Sequence, residues 1–207
     1  GACGAVPGTT SGCDLQRAMK IFLGQEGDFA IRGQPLALEA SIPPVPIALP
    51  DGSTLLVSGR IDRVDQEVMG LRLWDYKSGG TTRFRTGKDP FKQGRILQHA
   101  LYARIAESHF AKPVAEFGYF FPSEKGRGDR ITFPRSRLEG VVELLQQLRR
   151  LMGSGVFPAT TDLADCAWCD YRLVCGDVDM VTTESESKCQ PGLNKLLAPF
   201  RELRGLE

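Results

Sequence analysis

Little in this chain carries a global signal. Its 26 lysines and arginines stand against 25 aspartates and glutamates, leaving a net charge of +1 over 207 residues. That balance excludes a whole-molecule basic field, so any attraction for phosphate must be local. No apolar run nears the ~18 residues of a membrane-spanning helix. The start, Gly1-Ala2-Cys3-Gly4-Ala5-Val6, lacks the basic residues and apolar centre of a signal peptide. No membrane partner is therefore expected. G-x-G-x-x-G and Walker patterns are absent, which removes sequence support for nucleotide binding, and no internal repeat is present.

What is there suits one sizeable domain, or one domain with a small appendage. Hydrophobic residues make up 42% of the chain, enough for a core. Residues 1–13 read as a loose, Gly-rich segment. Helical spacing begins at Asp14 and runs to Leu23. Pro35 to Leu49 alternates and carries Pro43, Pro44 and Pro46, as an edge strand does. After the turn signature Pro50-Asp51-Gly52-Ser53, Thr54–Val64 and Val68–Lys77 read as antiparallel strands. A long helix is predicted over Gln93–Ala111, and a buried strand over Val114–Pro122. Gly126-Arg127-Gly128 turns the chain into a partner strand over Asp129–Phe133. A second long helix is predicted over Arg135–Met152, a polar linker at Glu184-Ser185-Glu186-Ser187, and a short helix over Leu193–Leu203. The order of elements predicts an α/β sandwich with a mixed sheet. The expected division is 14–160 for the core and 161–207 for a cysteine-bearing segment.

The chemistry concentrates on the predicted hairpin. Strand alternation puts Asp75 and Lys77 on one face and Trp74 and Tyr76 on the other. A turn near Glu67–Gly70 sets Asp62 beside Leu73–Asp75. Two carboxylates then converge with one ammonium, an oxygen-rich and incomplete cage of the kind Mg²⁺ or Mn²⁺ prefers. Glu39, on the preceding strand, is a further candidate ligand. The competing reading makes Asp62 and Asp75 ordinary strand-end carboxylates paired with Arg60, Arg63 or Lys77. Basic residues cluster at Arg83, Arg85, Lys88, Lys92 and Arg95, with Arg127 and Arg130 later, either as a phosphate-attracting patch or as a solvated surface.

Six cysteines are present, and Cys166, Cys169 and Cys175 form a C-x2-C-x5-C cluster. Three thiols so close argue for metal ligation in a reducing compartment, hence a cytoplasmic protein. Thiolates select zinc or an iron–sulfur cluster.

Gly59-Arg60-Ile61-Asp62-Arg63-Val64-Asp65, Asp75-Tyr76-Lys77-Ser78-Gly79 and Gln98-His99-Ala100-Leu101-Tyr102 together resemble the RecB-type nuclease family of the PD-(D/E)xK superfamily. The resemblance runs from about Glu39 to Tyr102 and resumes at the cysteines, whose spacing is similar to that of AddB-like iron–sulfur nuclease domains. It implies a restriction-endonuclease-like fold and metal-dependent, exonucleolytic hydrolysis of DNA in end processing, recombination or repair. By it, Asp62 and Asp75 are metal ligands with the carbonyl of Tyr76, Lys77 is catalytic, and Gln98 and Tyr102 support the site or touch DNA. By it also, Cys166, Cys169 and Cys175 join a distant cysteine, for which Cys13 is the preferred candidate, around a 4Fe–4S cluster. Structural Zn²⁺ is the alternative. The pattern breaks at one point. Relatives carry a metal-ligating histidine on a helix ahead of the first catalytic strand, whereas this chain has only His99 and His109, both downstream. The chain is accordingly expected to be a piece of a larger helicase–nuclease protein, or a variant that uses Glu39 and water. A catalytically weak module that grips DNA ends or a helicase partner is the second reading.

Overall fold

The computed structural model describes residues 12–29, 33–167 and 169–205. The chain divides into two compact units, one of residues 12–48 with Gly52–Val141 and one of Leu49–Asp51 with residues 142–205.

The first unit is built on a five-stranded sheet in sequential order. Its strands are β1 (Gln34–Ala48), β2 (Thr54–Glu67), β3 (Gly70–Tyr76), β4 (Val114–Phe121) and β5 (Asp129–Pro134). All neighbours are antiparallel except β3 and β4. A parallel pair cannot be joined by a tight turn, and the crossover here contains helix α2 (Gln98–Phe110). Helix α1 (Gly12–Phe29) precedes the sheet. This is the mixed-sheet α/β architecture that the order of elements predicts.

Each strand reads as its position demands. β1 is the edge, and its register with β2 shifts between Ile42 and Val45, where Pro43 and Pro44 stand. Central β4 is apolar on both faces: Phe117, Tyr119, Phe120 and Phe121 are all fully buried. On one side α2 approaches closely because its buried residues include Ala100, Ala103 and Ala106. On the other, Phe22 of α1 lies against Tyr76 and Phe120, with ring centroids 5.8 and 5.7 Å away.

Beneath α1 the sheet carries a charged network. Glu26 receives Arg63 at 2.6 Å and Arg130 at 3.2 Å. Arg63 also bonds Asp65 (2.6 Å), whose second oxygen accepts the Trp74 indole N–H (3.0 Å). Burial alone would depress the Arg63 pKa, but its bonds to Asp65, Glu26 and Tyr76 more than reverse that and hold it raised.

Three expected elements differ. The first long helix begins at Gln98, not Gln93. Lys92, Gln93 and Gly94 all have left-handed backbones (φ 47°, 55° and 78°), which no helix continues. The Asp89 carboxylate holds that bend by accepting the amides of Phe91 (2.8 Å) and Gln93 (2.6 Å). The helix predicted over Arg135–Met152 is split into a 3₁₀ turn, Arg135–Leu138, and α3 (Val141–Gly153), because Glu139 leaves the helical region at ψ −116°. Finally, Glu184–Ser187 is no linker.

Those four residues belong to α6 (Val178–Lys188) of the second unit, which also holds the one-turn helices α4 (Leu163–Cys166) and α5 (Arg172–Cys175), and α7 (Ala198–Arg204). Asp177 caps α6 by accepting the amides of Asp179 and Met180. Ser185 is buried and donates to the Ala159 carbonyl (2.6 Å). Leu151, Cys189, Leu197 and Phe200 form this unit's core. A cavity of about 310 Å³ beside Cys189 is lined by Val156, Phe157, Lys188 and Asn194 among others. Among the described residues, no helix is long and apolar enough to cross a membrane.

Gly118 permits the pairing of β3 with β4. A Cβ there would stand 2.3 Å from the Trp74 ring, and the bond to Asp65 keeps that ring in place. Replacing Gly118 by Ala should destabilise the fold by about 1–3 kcal/mol, the usual cost of overpacking. Urea denaturation measures this, and an unchanged midpoint would show that the indole gives way.

Candidate active site

The β2–β3 ladder ends one residue short of the two carboxylates. Its last pair is Arg63 opposite Trp74. At the next position the strands separate, and the Tyr76 amide donates to the Asp62 side chain (Oδ2, 2.7 Å) instead of to a backbone carbonyl. β3 stays straight because β4 holds its other edge, with Asp75 opposite Tyr119 and the Lys77 amide on the Phe120 carbonyl (2.9 Å). Asp62 and Asp75 thus face each other across a fork.

Asp75, Lys77 and Gln98 close a triangle in that fork. Lys77 Nζ lies 2.5 Å from Asp75 Oδ2 and donates to Gln98 Oε1 at 3.1 Å. Gln98 Nε2 donates to Asp75 Oδ1 at 2.7 Å. As the first residue of α2, Gln98 reaches the end of β3. Tyr102, one turn on, packs its ring over β2: a Cβ at Gly59 would lie 2.9 Å from Tyr102 Cε1. Its ring is also 6.4 Å from Phe117. Tyr102 is half-buried, and its ring packs between Gly59 of β2 and Phe117 of β4.

Burial lifts the Asp75 carboxyl above its ordinary pKa. The Lys77 ammonium opposes this, the charge of Asp62 adds to it, and Gln98 opposes it. The rise reports a burial cost that the adjacent Lys77 ammonium does not fully offset. Two facing carboxylates and a nearby carbonyl, all oxygen donors, fit a hard divalent cation, which such a pair would welcome. Among the described residues, no group of three or more His, Cys, Asp or Glu side chains is arranged to hold a metal. The pair would therefore draw its remaining ligands from the Tyr76 carbonyl, water and substrate.

Other expected residues stand apart. Glu39 is not brought to the pair: its backbone is left-handed (φ 49°), and its side chain pairs with Arg60 Nε at 2.8 Å on the exposed edge. Arg130 of the basic run is taken up by Glu26 beneath α1, and Arg85 pairs with Asp129 (2.7 Å). His99 is fully buried among Phe91, Phe117, Tyr119 and Phe133, and burial lowers its pKa to about 4, so it stays neutral. Cys166, Cys169 and Cys175 sit on α4, the following turn and α5 as free thiols, the last two exposed. Burial and the two neighbouring thiols raise the Cys166 pKa. Among the described residues no fourth ligand completes a metal-holding group with them, and an iron–sulfur cluster takes four thiolates. The Cys13 side chain and Cys3 lie outside what the structure describes. Missed from sequence were Phe84 and Tyr119, whose rings lie 5.8 and 5.6 Å from Lys77 Nζ. Tyr119 was legible as Asp75's neighbour on a parallel strand, whereas Phe84 comes from an irregular loop.

Comparison with known families decides the assignment. A profile of the PD-(D/E)XK nuclease superfamily matches residues 12–176, well over half of the chain. The chain belongs to the PD-(D/E)XK nuclease superfamily. Comparison with curated proteins gives no match. The superfamily's restriction-endonuclease-like α/β core is the fold seen in the first unit, and Asp75-Tyr76-Lys77 spells its D-x-K signature.

A carboxyl whose pKa is raised by folding stabilises the fold while protonated and loses that contribution as pH climbs through the raised value. In metal-free protein Asp75→Asn should therefore raise the melting temperature near pH 7, by ~2–4 °C for each ~1 kcal/mol relieved. The gain should shrink as pH falls through the raised value, where the wild-type carboxyl takes up its own proton. Mn²⁺ should raise the melting temperature of wild type and not of Asp75→Asn. Scanning fluorimetry across pH reads both effects.

Proposed function

We propose that this protein is a metal-dependent deoxyribonuclease of the RecB type, acting exonucleolytically on DNA ends in recombination or repair. The observation that carries the reading is the fork in the β2–β3 ladder, which sets Asp62 against Asp75 with Lys77 and Gln98 bonded to the latter. Asp62, Asp75 and the Tyr76 carbonyl would hold Mg²⁺ or Mn²⁺. The ion would supply Lewis-acid polarisation of the phosphoryl group and make water a stronger acid. Lys77 stabilises the negative charge that grows on the phosphoryl oxygens and orients the attacking water. Gln98 bridges the carboxylate and the ammonium and fixes their spacing. The rings of Phe84 and Tyr119 lie within 6 Å of the Lys77 ammonium, where an aromatic face attracts a cation.

The setting proposed for this domain is a larger cytoplasmic helicase–nuclease protein, with 14–160 as the nuclease core and 161–207 as a cysteine-bearing clasp. A 4Fe–4S cluster, or zinc in its place, would sit on Cys166, Cys169, Cys175 and Cys13. Support for the clasp comes from the C-x2-C-x5-C spacing and from the family match, which extends past Cys175.

A second reading, a module that binds DNA ends or a helicase partner with weak or no cleavage, is favoured by one observation. Both oxygens of Asp75 are already engaged, one by Lys77 and one by Gln98.

Lys77→Ala should reduce Mn²⁺-dependent cleavage of end-labelled DNA by on the order of 10²–10³-fold, as loss of a charge-stabilising donor does, while circular dichroism stays unchanged. Cleavage at the wild-type rate would reject Lys77 as catalytic. Wild-type binding in EDTA with no cleavage in Mn²⁺ would instead favour the module.

A further inference from the structure

The segment between β3 and α2, residues 78–97, contains five cations (Arg83, Arg85, Lys88, Lys92 and Arg95) and one acid, Asp89. Little of it is regular, yet it is tied down throughout. Asp89 accepts two backbone amides, as described above, so its charge is spent on the bend. The Arg137 guanidinium donates to the Gly87 carbonyl (2.6 Å), and Lys92 Nζ donates to the Arg83 carbonyl (2.7 Å). Phe84, in the 3₁₀ turn Thr82–Phe84, packs on Tyr119 and Phe121 with ring centroids 4.5 and 5.4 Å away.

Arg85 pairs with Asp129 and the half-buried Arg95 donates to Gln93 Oε1 (3.0 Å), so the two exposed cations without such a tie are Arg83 and Lys88. Arg83 and Lys88 are exposed, and among the described residues neither has an ionic partner. Arg83 is the sequence neighbour of Phe84, whose ring stands 5.8 Å from the Lys77 ammonium. Arg83 therefore lies beside the fork, and Lys88 follows five residues on along the same tied segment, where Arg137 holds the Gly87 carbonyl. Fixed cations bind a polyanion without first losing loop entropy. In a chain of net charge +1 they supply the local field that the whole molecule lacks.

We propose that Arg83 and Lys88 form a phosphate-binding ridge that holds the backbone of a DNA strand beside Asp62, Asp75 and Lys77. This deepens the nuclease reading and rests on it for the identity of the strand. Phosphate contacts position a strand and carry no sequence information, so the ridge acts without regard to base.

The full chain would be titrated in EDTA against a fluorescent mixed-sequence single strand. Arg83→Ala combined with Lys88→Ala removes as much charge as Lys195→Glu, an exposed site in the second unit that serves as the control. The double variant should bind ~10-fold more weakly at ~0.1 M salt, with the slope of log K against log salt flattened by about 1–2. Lys195→Glu should shift binding less than ~2-fold under the same counterion-release analysis. A strand with a neutral methylphosphonate backbone should bind wild type no better than natural DNA binds the double variant. Equal binding by the double variant and the control, or full affinity for the neutral strand, would overturn the ridge. With Mn²⁺ added, KM should rise in the double variant and kcat should hold. If no form cleaves, the nuclease reading fails while the affinities still decide the ridge.

Discussion

The whole site depends on where one ladder stops. An antiparallel pair satisfies its backbone by continuing, and ending it in the middle of a sheet leaves amides without partners. Here Asp62 takes the amide of Tyr76 itself. The carboxylate thus replaces the main-chain acceptor that departs with β2, and the same exchange holds it opposite Asp75. β3 tolerates the separation because its parallel pairing with β4 continues through Tyr76. Chemistry at this position needs a gap between strands, and rigidity at this position needs an unbroken neighbour. A strand in the centre of a mixed sheet supplies both.

Alternation gives each strand two tasks. Asp62 and Asp75 serve the fork, while their neighbours Arg63, Trp74 and Tyr76 face the network under α1. Buried ion pairs contribute little net stability, since desolvation offsets much of the attraction, but breaking one partner away is costly. What the Glu26–Arg63–Asp65 network secures is placement. Glu26 fixes α1 through two arginines from different strands, and Asp65 fixes the indole that lies over Gly118. A shift of β2 by one residue would send Arg63 into the fork and Asp62 beneath the helix. The charged network therefore penalises the register error that would destroy the site.

Much of this was legible in the sequence, and the rest was not for identifiable reasons. The Glu67–Gly70 turn and strand alternation were enough to place Asp62 against Asp75, because a two-residue hairpin fixes register. The i, i+4 spacing placed Gln98 and Tyr102 on one side of α2. The start of that helix was misread because Ile96 and Leu97 extend its apolar period upstream. Its real limit is set by Asp89, whose carboxylate holds Gln93 in a left-handed bend, and a capping carboxylate outside the helix leaves no periodic trace. Glu184–Ser187 looked like a linker from composition alone, whereas burial of Ser185 and an N-cap at Asp177 make it a helix. Glu39 failed to join the site because a left-handed residue redirects a strand's side chain, and nothing in Leu38-Glu39-Ala40 announces one.

The remaining tension lies in Asp75. Burial penalises its charged form, and Lys77 and Gln98 keep that form tolerable only by occupying both carboxylate oxygens. The ammonium thus serves as the counterion of the resting fork. A group that neutralises Asp75 cannot at the same moment offer its full charge elsewhere, so a cation bound to the carboxylates would free Lys77 from that task. The faces of Tyr119 and Phe84 stand 5.6 and 5.8 Å from the ammonium in the resting fork, close enough to attract it there. Stability of the metal-free fork therefore rests on a single lysine, the residue that a bound cation would displace. A fork of two facing carboxylates can thus be assembled in a chain of nearly balanced charge because it carries its own counterion, Lys77.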